Sequence, residues 1–370
     1  MDAIAAASTK ADRPHLLGYT PVARVNPYQS LLYRNFFEHG IAVAPVLKPS
    51  SFRELLGFSG LAESVSLHLH WNAWMTFGRD EEAEARRMAM GIVGRLEKFR
   101  AMGGNLIWTV HNLYPHDAQF IDLELEVQQR IADTANVVHV MSNSTVEAMS
   151  GILEIDENKI LHVAHPSYHG AYPDYISKDE ARVTLGIEPD ETVFLLFGAI
   201  KPYKGLRRLL DAIDLVSQKN PELRFRLLVA GAADGSVEAS EFVRRCLVHP
   251  NVLIENSRIA SERAQYFLRA ADVGLVNYER VLNSGAALLY QTFGLPIVAA
   301  DVPSLRESVP DGLGLFVQDR TADALAESMV SAANRLLCTT VQERVLEYIS
   351  EYKPDVISSA LAKGLLMRIK

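Results

Sequence analysis

Two short loops carry the residues best able to hold an anion. In GAIKPYKG, residues 198–205, two glycines and two lysines follow the apolar run Thr192–Phe197 and precede a helical pattern from Leu206. Backbone N–H groups at a helix start attract negative charge, and Lys201 and Lys204 add full positive charges. The Gly-Lys-Ser/Thr ending of a P-loop is absent. A solvated turn with surface lysines is the bland account of such a loop; its place after Gly198, at the end of a buried strand, favours phosphate. Asn283-Ser284-Gly285 opens a second helix. Asn283 or Ser284 can cap it, which accounts for the pair without any ligand. Gly285, lacking a side chain, lets a ligand oxygen approach the free N–H groups of the first turn. Taken alone, the two readings of this segment are even. With a lysine loop in the same half of the chain, a diphosphate held between the two loops is the better account.

The first half offers imidazoles. His111-Asn112 ends the buried run Asn105–Asn112, and a polar step at a sheet's carboxyl edge suits a ligand or catalytic role. His68 and His70 share one face of Ser64–Trp71, and His70, at the strand end, is the more interesting. No carboxylate or cysteine cluster accompanies them, so a metal site is disfavoured. In RVNPYQ, residues 24–29, Tyr28 and Gln29 either touch a polar ligand or shape the turn around Pro27. Ser142–Ser144 reads as a plain helix N-cap.

The elements that position these residues follow from periodicity. Short apolar runs alternate with helical patterns throughout, the signature of βαβ units around parallel sheets. In the first half strands are expected at 16–23, 41–46, 64–71, 105–112, 137–141 and 159–166. In the second they fall at 192–198, 224–231, 251–256, 273–278 and 296–301, with GLGLFV (312–317) and two further helical patterns ending the chain. The Pro-, Gly- and Tyr-rich segment HPSYHGAYPDYISKDEA marks a domain boundary. The expected organisation is a loose tail over 1–13, a Rossmann-like domain over 14–168, a second over 169–350, and a C-terminal helix over 351–370 packing back on the first. Two doubly wound domains then face each other across a cleft, with ligands at the carboxyl ends of the strands.

Composition narrows the function classes. The chain has 370 residues, 48% hydrophobic and 22% charged, an ordinary globular balance. Its net charge of −8 argues against a protein organised around nucleic acid. Two distant cysteines, Cys246 and Cys338, give neither a metal spacing nor a disulfide framework. MDAIAAASTKADRPH does not read as a signal peptide, and no run of about 18 apolar residues occurs, so the cytoplasm is the default compartment. The helix expected over 80–100 mixes Arg86, Arg87, Lys98 and Arg100 with apolar positions; a solvated face is the ordinary reading and a peripheral membrane contact the minority one.

These segments resemble a known family. FGAIKPYKGLRRLLDAI, HPNVLIENSRIASERAQYFLRAADVGLVNY and SGAALLYQTFGLPIVAADVPSLRESV are similar to the donor half of GT-B glycosyltransferases, in particular the family-4-like group. TVHN matches the position of a histidine that contacts the donor sugar there. NPYQ, TVHN and SGAALL together resemble bacterial exopolysaccharide glycosyltransferases, mannosyltransferases included. The resemblance implies a hexosyl transfer from a nucleoside-diphosphate sugar, GDP-mannose first, to a glycan or glycolipid hydroxyl, with no metal or other cofactor. It implies a donor site of Gly198, Lys201, Lys204, Ser257, Arg258, Ile259, Glu279, Asn283, Ser284 and Gly285. Acceptor contacts would come from Tyr28, Gln29, His70, Trp71, Asn72 and His116. His111, Lys204 and Asp117 would be catalytic, with Asp117 or His116 as base in an inverting course and the leaving phosphate as base in a retaining one. The group's acidic pair falls at Val281 and Leu289, neither of them acidic, and its arginine before the lysine falls at Ala199. A GT-B epimerase or hydrolase needs carboxylates near the sugar, and a non-catalytic two-domain sugar-binding protein of the periplasmic type needs a secretion signal.

Overall fold

Continuous apolar runs become buried parallel strands in this chain. The computed structural model describes residues 2–113, 119–279 and 281–369. Among these, six strands form one sheet: β1 (His15–Thr20), β2 (Ile41–Pro45), β3 (Val65–Leu69), β4 (Asn105–Thr109), β5 (Val137–Val140) and β6 (Ile160–His162). Six more form another: β7 (Thr192–Phe197), β8 (Phe225–Ala230), β9 (Val252–Glu255), β10 (Val273–Val276), β11 (Ile297–Ala300) and β12 (Gly314–Val317). β1 to β11 each overlap an apolar run that predicts a strand, and β12 falls within GLGLFV. Strand orders are β2-β1-β3-β4-β5-β6 and β12-β11-β10-β7-β8-β9, with every pairing parallel. The inner strands β3, β4, β5, β10 and β11 are buried along their whole length, because crossover helices cover both faces. The architecture is two Rossmann-like units, each a six-stranded parallel sheet with crossover helices.

The chain divides into one unit running to Pro166 and resuming at Tyr352, and a second from Ser167 to Glu351. The final helix, Pro354–Leu366, supplies Ile357, Leu361 and Leu365 to the apolar cluster that holds Leu17, Phe36, Ile107 and Leu161. A Cβ at Gly364 would lie 2.8 Å from Leu161 Cδ1, so glycine there lets the helix sit close on β6. The N-terminal segment departs from the loose tail that its composition suggests. Asp2–Ala7 is helical, with Ile4 and Ala7 buried. Alanine favours helix and the short turn finds an apolar face, packing against β2 and the 3-10 turn Phe36–His39. Arg13 then donates to the Ala62 carbonyl at 2.8 Å.

The order of strand addition reverses once in each sheet, between β1 and β3 in the first unit and between β7 and β10 in the second. Loops leaving the carboxyl ends of such strands are pushed apart by helices on opposite faces and leave a crevice. The lysine loop leaves β7, Asn277 follows β10, and His70 follows β3.

Leu361 is fully buried. Leu361→Ala is expected to destabilise the first unit by about 2–5 kcal/mol, read from urea unfolding. A change under about 0.5 kcal/mol, the range of surface substitutions, would contradict this packing of the last helix.

Candidate functional site

Backbone geometry at two glycines fixes the lysine loop. Gly198 leaves β7 with φ of +85°, and Gly205 enters the helix Leu206–Lys219 with φ of +66°, both in the left-handed region. Ile200 is fully buried between them, and its N–H donates to the Ala232 carbonyl at 2.8 Å. The intervening turn Pro202–Lys204 delivers Lys204 inward, only 4% exposed. Its Nζ donates to the Phe197 carbonyl at 2.9 Å and lies 5.6 Å from the centre of the Tyr278 ring. Neither partner carries a negative charge. Burial, reinforced by Lys201, brings the Lys204 pKa down to about 7.

The segment after β10 closes on this loop. The Glu279 N–H donates to the Tyr203 carbonyl at 2.7 Å. Arg208 Nε donates to Asn277 Oδ1 and Arg208 Nη2 to the Asn277 carbonyl, both at 3.0 Å. A Cβ on Gly205 would stand 2.7 Å from Arg208 Nη2 and 2.8 Å from that carbonyl, so the two segments approach through glycine. Asn277 is 3% exposed, yet its amide nitrogen has no hydrogen-bond partner, and neither has the buried amide nitrogen of Asn283. Buried donors in folded proteins are nearly always satisfied, and unpaired ones call for an explanation. Ser284 settles the capping question: its Oγ accepts from the Ala287 N–H at 3.2 Å and starts the helix Gly285–Thr292. Asn283 is thereby released from capping.

The remaining donor candidates are placed as follows. Glu279 is exposed. Ser257, Arg258 and Ile259 follow β9, which β8 separates from β7; Ser257 donates to Glu255 at 3.2 Å and Arg258 is exposed. Val281 contributes its carbonyl to the Ser304 hydroxyl at 2.8 Å, and Leu289 is buried. Arg208 and Asn277 escape sequence reasoning. Arg208 sits one helical turn beyond Lys204, a spacing that could have drawn attention, whereas the amide of Asn277 gives no signal in a strand-ending Asn-Tyr.

In the first unit most predicted acceptor contacts are spent on the protein itself. Gln29 accepts from the Ala23 N–H and donates to the Pro21 carbonyl, both at 2.8 Å, so it shapes the loop rather than offering free polar atoms. Tyr28 is 1% exposed and its hydroxyl reaches Met141 Sδ at 3.5 Å. Asn72 donates to Glu124 at 3.4 Å. His70 is fully buried, with Nε2 2.6 Å from the Tyr33 hydroxyl and Nδ1 3.2 Å from His111 Nε2. Trp71 and His111 are half-buried and stacked, ring centres 4.3 Å apart at 21°. Burial holds the pKa of His70 and His111 well below 6.5, with neighbouring histidines pressing the same way. His116 and Asp117 lie outside the described residues. Among the described residues, no three His, Cys, Asp or Glu side chains gather as a metal site, and no helix is long and apolar enough to cross a membrane.

Residues 191–335 match the family described as "Glycosyl transferases group 1". The chain is 35% identical over 177 residues to D-inositol 3-phosphate glycosyltransferase of Rhodococcus erythropolis, covering 43% of this chain and 38% of that one. It is 32% identical over 254 residues to the protein of the same name from Actinosynnema mirum, covering 63% and 59%. The chain therefore spans less than two thirds of these curated relatives. In fold it is similar to the sucrose-phosphate synthase of Thermosynechococcus elongatus, with a TM-score of 0.70 and 17% identity over 96% of this chain and 98% of that one. It is equally similar to Anabaena HepE in complex with UDP and glucose, at 0.71 and 15% over 96% and 100%.

The Lys204 environment sets a pH signature. Below about pH 7 the lysine is charged in both folded and unfolded chains, and the cost of burying that charge is fully present. Between about 7 and 10.5 the folded protein has released a proton that the unfolded chain keeps, so stability rises with pH. The stability difference between wild type and Lys204→Met should therefore shift in favour of wild type across that window in urea titrations. Parallel profiles would show that Lys204 is not held this way.

Proposed function

We propose that this GT-B chain, whose residues 191–335 form a glycosyl transferases group 1 domain, transfers a hexosyl group from a nucleoside-diphosphate sugar to an acceptor hydroxyl. One observation carries the reading: a buried ammonium, Lys204, has no anionic partner among the described residues at the switch point of a parallel sheet. The orphaned amide of Asn277, paired through Arg208 to the same loop, supports it.

The leaving diphosphate accepts from Lys204, with Lys201 assisting, and from the N–H groups at the start of Gly285–Thr292. As the glycosidic bond lengthens, negative charge grows on the diphosphate oxygen. A fixed cation and helix N–H groups stabilise that charge more than they stabilise the ground state, which lowers the barrier. Lys204 is best matched to this work when charged, and an arriving diphosphate raises its proton affinity by opposite charge. The reaction in this reading uses protein cations in place of a divalent metal. GDP-mannose is the first donor to assay on the sequence resemblance; UDP-hexoses are the second, because HepE is seen with UDP and glucose. The acceptor is a glycan or glycolipid hydroxyl, with an inositol phosphate as the alternative that the relatives' names favour.

At least one of UDP, GDP, ADP and dTDP is expected to raise the melting temperature, by a stabilisation of about 2.7 kcal/mol at a concentration of 100 Kd. Lys204→Ala should lose that shift and lower kcat/KM by about 10²–10³-fold. Nucleoside diphosphate should be released from the matching donor only when acceptor is present. A protein that none of the four diphosphates stabilises would refute the donor site.

A further inference from the structure

A backbone carbonyl can only accept a hydrogen bond, and at Val163 this fixes the direction of a longer chain. His139 Nε2 lies 2.8 Å from the Val163 oxygen, so Nε2 is the protonated nitrogen. Burial brings the His139 pKa down to about 4 and holds His68, His70 and His111 well below 6.5, so each ring carries one ring proton at neutral pH. His139 Nδ1 then accepts from the Thr109 hydroxyl at 2.9 Å. The Thr109 oxygen, its own proton committed, accepts from His68 Nε2 at 2.7 Å. His68 Nδ1 accepts from the Tyr33 hydroxyl at 2.8 Å, and the Tyr33 oxygen accepts from His70 Nε2 at 2.6 Å. His70 Nδ1 is left to accept from His111 Nε2 at 3.2 Å.

Reversing one bond puts two protons, or none, between neighbours, or a second proton on a ring. His68, His70, His139 and Thr109 are all 0% exposed, where an unmatched donor or a charge has no water to fall back on. We propose that Tyr33, His68, Thr109 and His139 are positioning residues that hold His111 as its Nε2–H tautomer through His70, so that Nδ1 presents a lone pair to ligand. The ring is held in plane by Trp71 on its face and by Tyr28, edge-on at 5.1 Å. A group meeting Nδ1 must therefore be a hydrogen-bond donor, a neutral hydroxyl or N–H; an anionic oxygen is repelled by the lone pair. The relay itself is independent of the transfer chemistry, and only the identification of that hydroxyl as a sugar's rests on the proposed function.

The test uses the ligand-free full chain labelled with ¹⁵N-histidine, at neutral pH, with long-range proton–nitrogen correlations that separate the two tautomers. His68, His70, His111 and His139 should each show the Nε2–H pattern without exchange averaging. Thr109→Val keeps the shape but removes the hydroxyl, and is expected to move His111 to averaged tautomer signals. Thr109→Ser should restore the single form. If Thr109→Val does not fold, Tyr33→Phe interrupts the relay two bonds nearer His111 and is read in the same way. A wild-type His111 in the Nδ1–H form or averaged between forms overturns the proposal, as does a relay-breaking variant whose His111 signals are unchanged. Because no donor is present, this result stands apart from the diphosphate-binding assay.

Discussion

Burying an ammonium without an anion is the constraint around which the second unit is arranged. Lys204 has one carbonyl and one aromatic face for company. A hydrogen bond to a charged group contributes about 1.5–3 kcal/mol, and a desolvated cation over a ring about 2. Even so, a pKa that falls from 10.5 to about 7 leaves roughly 5 kcal/mol against the charged form compared with water. The loop's own geometry directs the lysine inward. Gly198 and Gly205 hold left-handed conformations at its two ends, and Ile200 pins its middle in the core. In the proposed reading, a diphosphate meeting Lys204 supplies the negative charge that the protein itself does not.

The first unit meets the same difficulty with the opposite device. The polar groups around its histidines are kept neutral: histidines, a threonine and a tyrosine each donate one proton along a continuous series of hydrogen bonds. A neutral network tolerates burial if every member is satisfied, and direction is then forced by whichever end is unable to donate. Here that end is the Val163 carbonyl, bonded through His139 of the neighbouring strand β5. The two units thus treat buried polar groups differently, one with an uncompensated charge and one with a neutral relay.

Much of this was legible in the sequence, for a physical reason. Strands of a parallel sheet buried on both faces must be apolar at successive positions, so β4, β7, β10 and β11 announce themselves without alternation. Loops with Gly and Lys at strand ends are local signals too, and Ser142 capping Thr145 is read from three consecutive residues. What stayed hidden depends on partners far along the chain. Arg208 meets Asn277 across 69 residues and His68 meets Thr109 across 41. Gln29 and Asn72 look like rim contacts until Pro21, Ala23 and Glu124 are seen to occupy their polar atoms. The helix Asp2–Ala7 was missed because six residues of mostly alanine carry no periodicity until a face is present to receive Ile4.

Val281 and Leu289 bear most directly on how donors are chosen. In the resembled group these positions are acidic, yet here one lends only its carbonyl to Ser304 and the other is 5% exposed in the core. A carboxylate at 289 would lose its hydration among apolar neighbours and be driven to its neutral form. The helix face that carries acids elsewhere therefore belongs to packing in this chain, and its loss is more than a change of two side chains. In the proposed reading, contacts to sugar and ribose hydroxyls fall to buried polar groups that have no hydrogen-bond partner in the protein. The amide nitrogens of Asn277 and Asn283 meet that description, and as donors they match hydroxyl lone pairs where the acids would have matched hydroxyl protons. In that reading, reversing the sense of those hydrogen bonds changes which hydroxyl orientation the site favours.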